Sequence, residues 1–143
     1  MTEFKILVED NPTPDDLKRI GRGLNEFNAL HAESDNWEQI TLFVRNEQQE
    51  IVGGLYAERV WDWLEIKIVW IESHLRGLGL GTRLVRAAET EALKRNCRAA
   101  MLDTFSFQAL NFYRKLGFEV FGKLPDFPKG HTRYFMRKTL KTD

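Results

Sequence analysis

The chain has 143 residues, and its 21 Lys plus Arg are balanced by 21 Asp plus Glu, giving a formal net charge of zero. This length supports one domain over residues 1–143, and the charge balance excludes a general attraction to nucleic acid or an anionic membrane, so binding has to be local. One cysteine excludes an internal disulfide; no apolar stretch reaches the ~20 residues of a membrane span, and no basic segment with an apolar core opens the chain, which together predict a cytoplasmic protein.

Residues 4–8 form a short β-rich run closed by Glu9, Asp10, Asn11 and Pro12, which is turn chemistry. A helix is predicted after Thr13, with Pro14 in its first turn and Asp15 and Asp16 complementing its dipole. Leu17, Ile20, Leu24 and Phe27 recur at helical spacing, the stripe of a helix packed on a sheet. The polar residues 32–38 predict a loop that carries Trp37. Residues 40–44 and 51–60 read as strands joined by a turn at 46–50, with Gly53 and Gly54 marking a bulge or a close approach. Residues 61–63 make a tight connection bearing two tryptophans. Residues 64–71 read as the central strand, with Leu64, Ile66, Ile68 and Trp70 on one face and Glu65, Lys67, Val69 and Ile71 on the other. A helix from Thr82 to about Arg95 carries Leu84, Val85, Ala88, Ala92 and Leu93 inward, and residues 97–103 return as a strand. Strand, helix and strand in this order predict a right-handed parallel crossover. A helix over 108–116, a left-handed cap at Gly117, and an antiparallel pair over 118–124 and 132–140 complete an α/β chain.

The stretch Glu72 to Leu84 is the most informative. Gly77, Gly79 and Gly81 fall between the central strand and the following helix, where missing Cβ atoms let a ligand reach the main chain. N–H groups at a helix start lack intrahelical partners and lie at the positive end of the dipole, so this turn favours an anion such as phosphate. Two familiar phosphate cradles fail: Gly81 is followed by Thr82 without the P-loop lysine, and the alternating glycines do not fit G-x-G-x-x-G.

A third pattern fits. Arg76, Gly79 and Gly81 match Arg/Gln-x-x-Gly-x-Gly/Ala, and Ala109 to Phe118 matches a helix ending in Tyr-x-x-x-Gly-Phe. In this order, the two motifs resemble the GCN5-related N-acetyltransferase (GNAT) superfamily, and residues 127–135 resemble a small bacterial subgroup of it. The resemblance implies a single-domain α/β (α+β) fold with a mixed, mostly antiparallel twisted sheet flanked by helices and splayed central strands. It implies acetyl-CoA as cosubstrate, its pyrophosphate held by Arg76, Gly77, Leu78, Gly79, Gly81 and Thr82 and its pantetheine arm by the main chain of Val69 and Ile71. The activity implied is direct acetyl transfer to a primary amine of a small molecule or protein. The chain departs from the pattern at Ser106, where many members carry an asparagine that contacts the cofactor; Asn111 offers a polar group on the same helix.

Transfer from a thioester to an amine requires a base for the ammonium and a donor for the leaving thiolate. Tyr113 occupies the register of the family's general acid, and Glu65 that of its base glutamate; Glu72, Asp35 and Asp62 compete for the second role. Trp37, Trp61, Trp63 and Phe105 suggest aromatic walls for the acceptor, and Asp35 or Asp62 would suit a cationic group. Cys97 lacks a histidine partner and reads as a core thiol, and His74 and His131 show no ligand spacing, so no metal is predicted. A catalytically silent acyl-CoA sensor is the alternative to an enzyme, and the aromatics are equally suited to a homodimer.

Overall fold

The computed structural model describes residues 3–141, which divide into two compact units, Met1–Ser34 and Asp35–Asp143. In the first unit, helix α1 (Pro14–Ala29) starts where the sequence places it. Thr13 accepts from Asp16 N at 3.1 Å while its own N–H donates to the Asp16 carboxylate at 3.2 Å, a reciprocal cap that satisfies two donors at the helix start. The stripe of Leu17, Ile20, Leu24 and Phe27 forms one face of α1, and its own unit contains no sheet for that face to cover. Nor do residues 4–8 form a strand. Strand propensity over five residues becomes structure only through a ladder, and these residues join none.

The second unit is a six-stranded sheet of β1 (Glu38–Arg45), β2 (Ile51–Val60), β3 (Trp63–Ile71), β4 (Ala99–Phe105), β5 (Glu119–Pro125) and β6 (Thr132–Thr139), in the order β1-β2-β3-β4-β6-β5. Only β3 and β4 are parallel, joined by a crossover through α2 (Leu80–Lys94). The short helix α3 (Leu110–Lys115) links β4 to β5 and is two residues later at its start than the sequence suggests, because Gln108 is spent on the turn. Its side-chain oxygen accepts from Phe105 N at 3.0 Å. The core forms on one face of the sheet: Leu55, Leu64, Ile66, Leu102 and Met136 pack with Leu84, Val85 and Ala88 of α2 and with Leu116, which caps α3. Leu93, expected inward, is 44% exposed, and the buried residue on that side of α2 is instead Glu89, paired with Lys138 of β6 at 2.6 Å.

The alternation expected for the central strand breaks halfway. Tyr56 of β2 is opposite Ile68, but Ala57 is opposite Ile66, so Lys67 is an extra residue in β3. A bulge of this kind inverts the side-chain phase beyond it. Leu64 and Ile66 face the core before it; Ile71 does so after it, while Ile68 and Trp70 turn to the opposite, exposed face. The parallel ladder also stops here, with Ile66 opposite Leu102 as its last pair. Beyond that point β3 and β4 diverge.

Candidate active site

The divergence opens a cleft of about 900 Å³ between the outer halves of β3 and β4. One wall is residues 67–71 of β3; the other is Asp103 and Thr104 with the segment that leads into α3. The glycine turn closes one end. Gly77 and Gly79 take φ +83° and +80°, and nothing lies within 4 Å of where either would carry a Cβ. Gly79 is the N-cap of α2 and has no side chain to offer, so the first helical hydrogen bond is Arg83 N to Gly79 O. Among the described residues, no backbone acceptor takes the N–H groups of Gly77 to Thr82. Donors left free at a helix start beside open space fit a pyrophosphate.

Gly81 has a different reason to be glycine. It lies within α2, and a Cβ there would stand 3.2 Å from Cζ of Phe112, so its absence lets α3 close against α2 and brings Tyr113 to the cleft. Arg76 is partly committed to structure: its Nε donates to Ile71 O at 3.0 Å, stapling the turn to the end of β3.

Tyr113 is buried between Phe112 and Phe118, with ring centroids 5.0 and 5.9 Å away, yet it lines the cleft. Burial first, and the Asp103 carboxylate second, push its hydroxyl up to about 12. The phenol therefore keeps its proton across the ordinary range, as a hydrogen-bond donor must. Val69, Ile71, Arg76, Gly77, Gly79, Gly81, Thr82 and Tyr113 are thus brought together around one cleft.

Leu78 and Asn111 are exposed and are not among the cleft's lining residues. Ser106 is tied elsewhere, its hydroxyl accepting from Thr132 N at 3.1 Å and lying 3.2 Å from His131 Nδ1, which joins the loop after β4 to β6. Glu65 precedes the bulge, opposite Met101, and borders a neighbouring pocket of about 310 Å³ with Trp61, Trp63, Phe121 and Arg137. Its closest ionic partner is Lys67 at 3.8 Å, which also pairs with Glu58 at 3.4 Å. Glu58 is held below the usual carboxylate range, chiefly by the Tyr56 hydroxyl that donates to it at 2.6 Å. Asp62 is bound to Arg98 at 2.6 Å at the end of β3 away from the glycine turn; Asp35 is near it, its carbonyl accepting from Trp61 N, and Glu72 pairs with His74 at 3.4 Å. Neither Trp37 nor Phe105 lines the cleft or the smaller pocket. Cys97 is buried just before β4, and burial pushes its thiol up, as an inert core thiol requires. Sequence reasoning missed Lys67 and Asp103 at the two lips of the cleft. Their signal is the register at which the parallel pairing ends, which no periodicity reports.

Residues 8–118 match the model of the acetyltransferase (GNAT) family. The chain is 34% identical over 104 residues to a blasticidin-S acetyltransferase of Streptomyces morookaense, covering 72% of this chain and 76% of that one. It is 31% identical to an acetyltransferase of Agrobacterium fabrum, covering 94% and 98%. Among solved structures, an acetyltransferase from Bacillus cereus superposes with a TM-score of 0.85 at 31% identity, over 93% of this chain and 97% of that one. The fold also matches an aminoglycoside 6'-N-acetyltransferase complexed with coenzyme A, with a TM-score of 0.65 at 21% identity over 94% and 96%. With a family model spanning most of its length and relatives above 30% identity, the chain belongs to the GNAT acetyltransferases.

Proposed function

We propose that the protein transfers the acetyl group of acetyl-CoA directly to a primary amine of a small cationic molecule. The observation that carries this reading is the cleft beyond the Ile66–Leu102 pair, which has free N–H groups at one end and the Tyr113 side chain on its wall. The main chain of Val69 to Ile71, unpaired on the β4 side, suits the amide-bearing pantetheine arm, and Gly77 to Thr82 suit the pyrophosphate. Acetyl-CoA would supply the activated acyl group; the chain's own residues orient it and handle protons.

In this reading Tyr113 donates a hydrogen bond to the departing thiolate. With its hydroxyl near 12 against about 8.5 for an ordinary thiol, it acts as a hydrogen-bond donor and relay rather than as a strong acid. The acceptor enters from the exposed face of the sheet, where Glu58, Glu65 and Asp103 supply negative charge and Trp63 and Ile68 apolar surface. The 34% identical relative is named for blasticidin S, which makes that amine the first to try.

Calorimetric titration with acetyl-CoA and CoA, followed by thiol release with blasticidin S, kanamycin, spermidine and lysine, tests the proposal. Acetyl-CoA binding with amine-dependent thiol release supports it. Binding without release favours the acyl-CoA sensor, and no binding removes both.

A further inference from the structure

We propose that Asp103 is the carboxylate that receives the acceptor's ammonium and takes its first proton, with Arg133 as its positioning residue. This rests on reading the cleft as the acetyl-CoA site. Asp103 is the one acidic side chain among the residues lining that cleft, and it follows directly after Leu102, the last β4 residue paired with β3. Its register opposite Phe135, two residues beyond Met101, puts it on the same sheet face as Glu65, the face free of α2 and α3. It therefore stands where a tunnel from the acceptor side would meet the donor cleft.

Asp103 is also held as such a group must be. One carboxylate oxygen, Oδ2, accepts from Arg133 Nε at 2.8 Å; among the described residues nothing hydrogen-bonds Oδ1. The Arg133 guanidinium is fixed by the rings of Phe105, Phe127 and Phe135, with centroids 5.6, 5.3 and 5.0 Å away. A cation stacked on three rings is a rigid anchor, so the free oxygen has a fixed direction. Lys67 on the opposite lip does not compete for it, being paired with Glu58 and Glu65. Tyr113 lines the same cleft from α3, and the Asp103 carboxylate adds to the rise of its hydroxyl. Glu65 lies two residues before the splay, beside the other pocket.

The protons balance. The acceptor ammonium gives one proton to Asp103 and becomes a neutral amine. Its nitrogen bonds to the acetyl carbon, the carbon–sulfur bond breaks, and the second nitrogen proton ends on the sulfur through Tyr113. Asp103 then returns its proton to water.

The test compares wild type with D103N, D103E and E65Q, using acetyl-CoA calorimetry and steady-state thiol release with blasticidin S, kanamycin, spermidine and lysine. Asn keeps an oxygen for Arg133, so the fold and the acetyl-CoA Kd should hold within about threefold, while kcat/KM for the amine falls roughly 100-fold or more. D103E, which keeps the charge, should recover about tenfold of that loss. A D103N enzyme within about threefold of wild type, or a larger loss in E65Q than in D103N, overturns the assignment. So does a wild type that binds acetyl-CoA yet turns over none of these four cations. If the wild type binds no acetyl-CoA, it is the underlying acetyltransferase reading that falls.

Discussion

Gly81 of α2 and Phe112 of α3 meet so closely that a β-carbon on the glycine would stand 3.2 Å from the ring's Cζ. The contact sets how near the aromatic wall, and Tyr113 beside it, comes to the glycine turn. Gly81→Ala adds helix propensity worth about 1 kcal/mol, so the thermal midpoint should hold or rise slightly. The ring has to give way by a few tenths of an ångström, and turnover should fall roughly tenfold as the phenol is misplaced. A thermal melt and a thiol-release assay on the same sample separate the two effects; full activity would show that Phe112 moves without carrying Tyr113 along.

Gly79 makes the opposite case. Its φ of +80° is the constraint, since nothing surrounds its missing Cβ. A β-branched residue is costly in the left-handed region, about 1–2 kcal/mol, and would relax by turning the N–H groups of the loop away from the ligand. Gly79→Val should keep its circular dichroism spectrum and weaken CoA binding by tenfold or more by calorimetry. Unchanged CoA affinity in a folded Gly79→Val would defeat the phosphate cradle.

The sequence made these elements legible to different degrees, and for physical reasons. The crossover, the glycine turn and the helix carrying Tyr113 were readable because strand runs, helix starts and two motifs are local patterns. The phase of β3 was not. One inserted residue, Lys67, inverts every side chain after it, and a string of Ile, Val and Trp reads alike in either phase. The α1 stripe marks another limit: 3.6-residue periodicity reports the amphipathic face that Leu17 and Ile20 share, not what lies on that face. Asp103 was hidden for a third reason. Its place at the lip follows from where pairing between two distant strands ends, and its hold on Arg133 spans 30 residues.

Glu89, buried on α2, pairs with the half-buried Lys138 of β6, with N–O distances of 2.9 and 2.6 Å. Arg86 adds a third contact at 3.2 Å. Removing one partner strands the other charge in the core, so Lys138→Met should lower stability by about 3 kcal/mol in urea unfolding. Glu89→Met with Lys138→Met removes both charges and should recover most of the loss. A single variant as stable as wild type would mean that Arg86 alone neutralises Glu89.

Tyr113 connects stability to chemistry through one hydroxyl. Burial raises it from 10.0 to about 12, so between these values the unfolded chain has lost a proton that the folded chain keeps. Its contribution to stability is full below pH 10 and disappears as pH rises towards 12, a loss of roughly 2–3 kcal/mol. Tyr113→Phe removes that ionisation, and its stability should decline less over the same interval, measured as urea midpoints. The same substitution should lower kcat roughly 100-fold with the acetyl-CoA Kd within about twofold, because the hydroxyl serves the proton path to the departing thiolate and not the binding of the donor. In the wild type, kcat should show no alkaline fall from this group below about pH 11, since the phenol stays protonated there. A kcat for Tyr113→Phe near that of wild type would leave the tyrosine as a core ring and pass the thiolate's proton to water.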